Sequence, residues 1–494
     1  LAHTEPVCPT LDLETARQHC TTIRQQLSRA GLLADSGPSP VGAGIASQPA
    51  ATSWRISPCP FLISTEQLHV FRSLGPNLWS FYRALNRLYM GSVKGTQPAW
   101  VAAYLDQGKP ESLITLSRMK RFREELPAVI RPDMILTQDG MVMTELDSVP
   151  GGIGLTAAMS RLYADVRRET SPPYEMVGGY DGMVRGFAAM LQSVQGARQG
   201  IMAIVVSDEA RDYRPEMAWM ASSLREQGLP AYCVEPRDVQ FTEEGLRCRT
   251  DRGEEPIGLI YRFYELFDLL NIPKSELVQY ALKKDRVAVT PPYKPALEEK
   301  LAFALLHHPV LRPFWEKELG HDGFVQLSTI MPKTWVLDPA PIPPAATIPG
   351  LHLSGRAVAN WRELGMATQK ERQLVIKPSG FSELAWGSRG VSVGHDLPQN
   401  EWAGALDTAL ASFPTTPYIL QEFHKGRQFE MDYHEPGTGT IVRMSGRARL
   451  SPYYFVANGT AELAGILATV CPADKKVIHG MKDAVMVPCA VPLV

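Results

Sequence analysis

The stretch RPDMILTQDGMVMTELDSVPGG, Arg131 to Gly152, reads as two apolar strands around a Gln138-Asp139-Gly140 turn, yet its strands carry Arg131, Asp133, Glu145 and Asp147. Glu145 and Asp147 are two residues apart, so on a strand they face the same side. A three-residue hairpin loop with Gly140 in the left-handed conformation would set Asp133 directly across from Glu145. Three carboxylates would then converge on one face, an arrangement that is costly unless something neutralises it. The bland alternative is a hairpin with solvated charges. The same-face phase and the Pro150-Gly151-Gly152 ending argue against it.

Two later segments give the carboxylates a context. In VIKPSGFSELAWGSRGVSVG, Lys377 ends an apolar strand and a polar loop follows with Ser379, Gly380, Gly387, Ser388 and Gly390. A lysine there can reach nucleotide phosphates, and glycines let backbone N–H groups approach those oxygens. Taken alone it is equally a surface lysine before a turn. Further on, YILQEF ends an apolar strand in Gln421-Glu422-Phe423, where backbone carbonyl and amide can pair with an adenine edge and a carboxylate can take ribose hydroxyls.

The series VIKPSG, GSRGV and YILQEF resembles the nucleotide-binding half of ATP-grasp enzymes, which hold ATP between two α+β lobes. The resemblance covers roughly Pro292 to Ala448 and implies an earlier phosphate-contacting lysine. Lys300 in LEEKLAFALL stands at the matching place, with Lys333 in MPKTW as a second candidate, and Lys300 reads equally as a solvated helix position. The opening stretch is similar to the metal-binding strands of D-alanine–D-alanine ligase-type members, which carry arginine-x-aspartate, a turn, and glutamate-x-asparagine before Pro-Gly. Asp147 departs from that pattern by replacing asparagine. Hard oxygen ligands grouped as Asp133, Glu145 and Asp147 suit Mg²⁺, which bridges nucleotide phosphates, and Arg131 can hold the oxyanion formed as an acyl group is attacked.

Here the carboxylates precede the lysine lobe, whereas in the familiar ligases they follow it. The chain therefore resembles circularly permuted ATP-grasp proteins such as glutathionylspermidine synthetase-like proteins, with a pre-ATP-grasp α/β domain inserted. That insert fits residues 199–292, where IMAIVVS, RPEMAWMASSLREQG, AYCVEP, IGLIYRFYEL, a helix opening at Ser275 and VAVT alternate strand and helix into a small open sheet. The expected architecture is α+β and α/β: residues 1–198 with the metal-binding strands, 199–292 as the insert, and 293–494 as the nucleotide-binding lobes. The stretches Ser36 to Thr52 and Asp338 to Gly350 are rich in Pro and Ala and read as loops.

The 494 residues are 45% hydrophobic and 21% charged, with a net charge of −2. That is enough apolar material for two or three globular domains and gives no basic excess for nucleic acid or an anionic membrane. Cys8, Cys20, Cys59, Cys233, Cys248, Cys471 and Cys489 show no metal-ligand spacing and read as reduced cytoplasmic thiols. No signal-peptide pattern opens the chain, and the apolar run Ala484 to Val494 is short of the ~20 residues that cross a bilayer. The opening Leu1 points to a start upstream. Eleven histidines, His307, His308 and His479 among them, form no metal spacing. GxSxG, HExxH and GxGxxG are absent, which weakens hydrolase and dinucleotide readings.

These features lead us to expect a cytoplasmic ATP- and Mg²⁺-dependent carboxylate–amine ligase acting through an acyl phosphate. Its partners would be small-molecule acids and amines of the amino-acid, peptide or polyamine class, with neither nucleic acid nor membrane. An ATP-grasp kinase acting on a hydroxyl and a non-catalytic nucleotide-binding protein are the alternatives. Arg427, Arg443, Arg447 and Arg449 read either as exposed strand arginines or as contacts for an anionic substrate.

Overall fold

The computed structural model describes residues 11–33, 54–167, 173–343, 346–387, 389–435, 437–475, 478 and 483–493. Its largest sheet takes strands from both ends of the chain. The order is Phe61–Leu62, Val485–Pro492, Thr460–Pro472, Thr440–Ala457, Val129–Leu136, Met141–Asp147; Gln428–Glu435 pairs with Thr440–Ala457 and Tyr174–Met176 with Val485–Pro492. Only the short Phe61–Leu62 pairing is parallel among these. The sheet's centre is covered on both faces, so Ser451 to Val456 are buried without alternation. Helix Thr65–Val93 presses Gly75 against Tyr454, where a Cβ would lie 2.8 Å from the ring, and helix Gly182–Gln195 presses Gly186 against Phe455. The run Ala484 to Val494, read above only as too short to span a bilayer, supplies one inner strand.

A second sheet lies wholly within residues 201–290. Ala231–Val234, Ile201–Val206, Gly253–Phe263 and Ala288–Thr290 run parallel, and each follows the strand-and-helix alternation read from the sequence. Helix Arg214–Glu226 buries Met217, Met220, Ala221 and Leu224, the apolar positions its spacing predicts, and Gly228 follows with φ +84°. The hairpin Val239–Phe241 and Leu246–Thr250 extends this sheet antiparallel and was not foreseen. A third, antiparallel sheet is ordered Thr334–Val336, Tyr418–Glu422, Leu374–Pro378, Ser392–Val393. Trp402 of helix Gln399–Ala411 is fully buried against it. The backbone then passes directly from the third sheet to the first: Phe423 N donates to Gln373 O and Arg427 N to Leu136 O.

Two expectations change. The helix expected around Lys300 is a 3-10 turn, Pro295–Leu297, then helix Ala302–His307, with Lys300 in the turn between them. The thiols are not all reduced: Cys20, Cys233, Cys248, Cys471 and Cys489 are free, but Cys59 is disulfide-bonded. Cys8, His479, Ser388 and the whole Ser36 to Thr52 loop lie outside the described residues. Among the described residues, no helix is long and apolar enough to cross a membrane.

Candidate functional site

Asp133 does pair with Glu145, and Arg131 with Asp147, but by a different route from the expected loop. The turn is tighter: Thr137 N donates to Gly140 O at 2.8 Å, leaving Gln138 and Asp139 as the loop, and Gly140 has φ +142° rather than a left-handed helical value. A bulge between the Asp133 and Met134 pairs then adds one residue, Thr144. Without it Asp133 would face Thr144 and both carboxylates would turn to the other side. The bulge carries Glu145 and Asp147 back to the face of Arg131 and Asp133. It also re-aims the Thr144 carbonyl, which accepts from Lys377 Nζ at 2.7 Å.

The cations arrive from three other segments. Lys300 Nζ lies 2.7 Å from Glu145 Oε1 and also donates to Ala385 O at 3.2 Å. On the neighbouring strand Leu450 faces Met134 and Tyr454 faces Ile130, which brings Ser451 beside Asp133. Ser451 Oγ donates to Asp133 at 2.8 Å and Arg449 Nη1 lies 3.1 Å from the same carboxylate. Arg131 spans Asp133, at 3.3 Å, and Asp147, at 3.1 Å. These groups line one cavity of about 1260 Å³ between the first and third sheets, together with Lys377, Gly387, Gln421, Glu422 and Phe423. A smaller adjoining pocket is lined by Glu145, Asp147, Glu265, Glu298, Lys300 and Gly380.

The electrostatics follow from burial and pairing. Burial pushes the Glu145 carboxyl up, but Lys300, Lys377 and Arg131 overcome it and hold the pKa at about 2. Burial lowers Lys377 to about 8, with Lys300 adding to the effect and Glu145 and Asp133 opposing it. Asp147 is raised, by burial and then by Glu145 and Asp133, against Arg131 and the Val149 N–H. Burial also disfavours the Arg131 charge, yet Asp133 and Asp147 outweigh it and the guanidinium pKa rises.

A three-carboxylate Mg²⁺ site does not fit these residues. Asp133 is 2% exposed, accepts from Ser451 and Arg131 Nη2, and has Arg449 beside it as a second ion-pair partner. Glu145 is answered by Lys300 and Asp147 by Arg131. Among the described residues no group of three or more His, Cys, Asp or Glu side chains is placed to hold a metal ion. The sequence reading placed Arg131, Lys300 and Lys377 at this site, but not as ion-pair or hydrogen-bond partners of the hairpin.

Ser379 also has a different place. It is fully buried, its hydroxyl donates to Glu299 and accepts from Leu301 N at 2.9 Å, and Glu299 pairs with buried Lys109 at 2.6 Å. It braces the Lys300 turn against the Lys377 strand and is not open to the cavity. At Gly380 a Cβ would lie 2.9 Å from Glu298 O, and at Gly390 2.6 Å from the Pro378 ring, so both positions are fixed by close packing. The Gln421 side chain is buried, donating to Thr334 Oγ1 at 3.1 Å. The amides of Glu422 and Phe423 are committed to Lys333 O and Gln373 O. They offer no free donor to an adenine edge. Lys333 is mostly exposed, 3.9 Å from Glu422, and does not line the cavity; Lys300 does.

Arg443 pairs with Asp432 at 2.8 and 3.0 Å, whereas Arg447 and Arg449 line the cavity. The sequence reading missed Ser451, Tyr213, Glu216 and Trp386. Ser451 was reachable, because the period-two row Arg447, Arg449, Ser451 shares one strand face. Tyr213 and Glu216 were not, since Tyr213 closes a 3-10 turn and Glu216 belongs to the following helix, whose visible pattern is only its apolar face. Glu216 accepts from Gly152 N at 2.7 Å and Leu155 N at 2.9 Å, at the start of helix Ile153–Val166. Burial pushes its pKa up to about 7 despite those two amides and Arg131.

No protein-family profile and no curated protein matches this sequence. Among solved structures, a glutathione synthetase-like effector from Globodera pallida, in apo form, is similar with a TM-score of 0.57 at 10% identity, over 98% of each chain. This likeness is one of overall fold. A protein assigned as a gamma-glutamylcysteine synthetase from Methylobacillus flagellatus has a TM-score of 0.38 at 10% identity, over 85% of this chain and 87% of that one. D-alanyl-alanine synthetase A from Vibrio cholerae has a TM-score of 0.23 at 10% identity, over 60% of this chain and 90% of that one. Neither of these last two is close enough in structure to carry an argument.

Proposed function

We propose that this chain is an ATP-dependent carboxylate–amine ligase. One observation carries the reading: Lys300, Lys377 and the Gln421–Phe423 strand end meet the Arg131–Asp147 hairpin in one cavity, although they come from separate segments. A cavity of about 1260 Å³ exceeds the ~300–1,000 Å³ of ordinary ligand sites and has room for a nucleotide and a second reactant. In this reading Lys300 and Lys377 bind phosphate oxygens, and the Gly380–Gly390 loop covers them. The Gln421–Phe423 end seats the base, with the His424 amide as donor in place of the two already bonded. A substrate carboxylate oxygen attacks the γ-phosphorus and ADP departs. An amine nitrogen then attacks the acyl carbon, phosphate leaves with the C–O bonding pair, and the nitrogen gives its proton to solvent. Arg131 stabilises the tetrahedral oxyanion between those last events.

The order of segments supports a circular permutation, because the first sheet is completed by strands from both ends of the chain. The open sheet within 201–290 supports reading residues 199–292 as an inserted pre-ATP-grasp domain, between a 1–198 region and 293–494 lobes. The end-to-end likeness to a glutathione synthetase-like protein favours amino acids or short peptides as reactants over the polyamines of the glutathionylspermidine synthetase-like reading. The test is ADP release against a panel of acid and amine pairs with hydroxylamine present. A hydroxamate, formed only from an acyl phosphate, supports the ligase. ADP release without hydroxamate would indicate transfer to a hydroxyl, and no ADP release across the panel would indicate a non-catalytic binding protein.

A further inference from the structure

Asp133 is where the metal expectation and the structure part. A carboxylate offers about four lone-pair positions; here Asp133 accepts from Arg131 Nη2 at 3.4 Å and Ser451 Oγ at 2.8 Å, with Arg449 Nη1 at 3.1 Å and Arg131 Nε at 3.3 Å as ion-pair contacts. A cation could bind Asp133 only by ejecting a guanidinium that is itself largely buried. Arg449 therefore stands where a metal on Asp133 would bring positive charge. Among the described residues Asp133 is its one ion-pair partner, and its Nε is buried without an acceptor. Arg447, two residues along the same face, donates to the Ala473 and Lys475 carbonyls at 2.6 and 3.5 Å, and its Nε likewise has no acceptor. Carbonyls position it without neutralising it. Arg447 and Arg449 thus join Arg131, Lys300 and Lys377 around Asp133, Glu145 and Asp147, in a cavity lined overall by nine Lys and Arg and eight Asp and Glu side chains.

We propose that Arg449, held by Asp133 and assisted by Arg447, binds the phosphate oxygens of the nucleotide directly, so that this chain binds ATP with little dependence on a divalent cation. A planar, permanently charged guanidinium with five donors suits that task, since it can address two phosphate oxygens at once. Asp133 is then a positioning residue. The inference rests on the ATP reading above, and the experiment separates the two.

Calorimetric titration of ATP into the full chain, once in excess Mg²⁺ and once in EDTA, decides the matter. The expected result is a Kd in EDTA within ~5-fold of that in Mg²⁺, and a loss of ~10-fold or more in EDTA for Arg449→Met, with Arg449→Lys between the two. Arg447→Met, which leaves Asp133 untouched, should move the EDTA affinity in the same direction by less. Thermal unfolding of each variant shows whether it is folded. ATP binding that requires Mg²⁺ and is indifferent to both arginines overturns this inference while leaving the ATP site standing. No ATP binding in either condition overturns both.

Discussion

Lys377 is a buried cation that donates, among the described residues, to the neutral Thr144 carbonyl. Its pKa of about 8, lowered chiefly by burial, makes its charge conditional in the range where the protein would be assayed. The charged form is the one that attracts phosphate, so ATP affinity should be highest below pH 8 and fall as pH rises through that value. Lys377→Met should bind ATP more weakly at every pH and lose the pH dependence, measured by titration between pH 6.5 and 9.5. A wild-type affinity that is flat across that range would show that the lysine points elsewhere in the bound state. Glu145 has the opposite sign: its pKa is depressed from 4.5 to about 2. The stability it contributes is complete above pH 4.5 and is lost as pH falls toward 2. Glu145→Gln should therefore flatten the fall in unfolding free energy over that window and, by freeing Lys300, abolish ADP release. Asp147→Asn removes the carboxylate that burial and its neighbours disfavour, and should keep ADP release within several-fold of wild type.

Elements decide whether those residues meet. The helix Ile153–Val166 can start where it does because Gly154 has no side chain: a Cβ there would lie 2.0 Å from the Glu216 backbone carbonyl. Gly154→Ala should force helices Ile153–Val166 and Arg214–Glu226 apart, at a cost of roughly 1–3 kcal/mol. Gly404, inside helix Gln399–Ala411 with nothing within 4 Å of its Cβ position, is the control, and Gly404→Ala should stabilise by roughly 0.5–1 kcal/mol. Denaturant titration of the two variants checks both signs. The same scale explains what the sequence disclosed. Strands Leu374–Pro378 and Tyr418–Glu422 and the open-sheet elements were legible because burial on one or both faces imposes its own period. The cross-strand partners of Asp133 and Arg131 were legible through a period of two. The bulge at Thr144 was not, because no Gly, Pro or Asn marks it, and the expected loop gave the right pairing for the wrong reason. The arginine and serine that fill Asp133 were out of reach as partners, since Ser451 lies 318 residues away and only the tertiary register brings the strands together.

Across the whole molecule, one loop ties three sheets together. The segment after Lys377 reaches from the third sheet over the cavity and touches the open-sheet unit, with Arg389 3.2 Å from Glu209 and the Trp386 and Tyr213 rings 6.1 Å apart. It also receives the Lys300 ammonium at Ala385 O. Trp386→Ala should therefore raise the dissociation rate of a fluorescent ATP analogue in stopped-flow displacement while leaving its association rate nearly unchanged, because the ring retains a bound ligand without guiding its entry. The central claim of the account is that the cavity between the first and third sheets is a nucleotide site built from distant segments. The most direct measurement is a crystal structure of the full chain grown with a non-hydrolysable ATP analogue. The account predicts phosphates between Lys300 and Lys377, a base against Gln421 to His424, and Arg449 still paired with Asp133. An analogue bound outside this cavity, or phosphates that touch neither lysine, would contradict it.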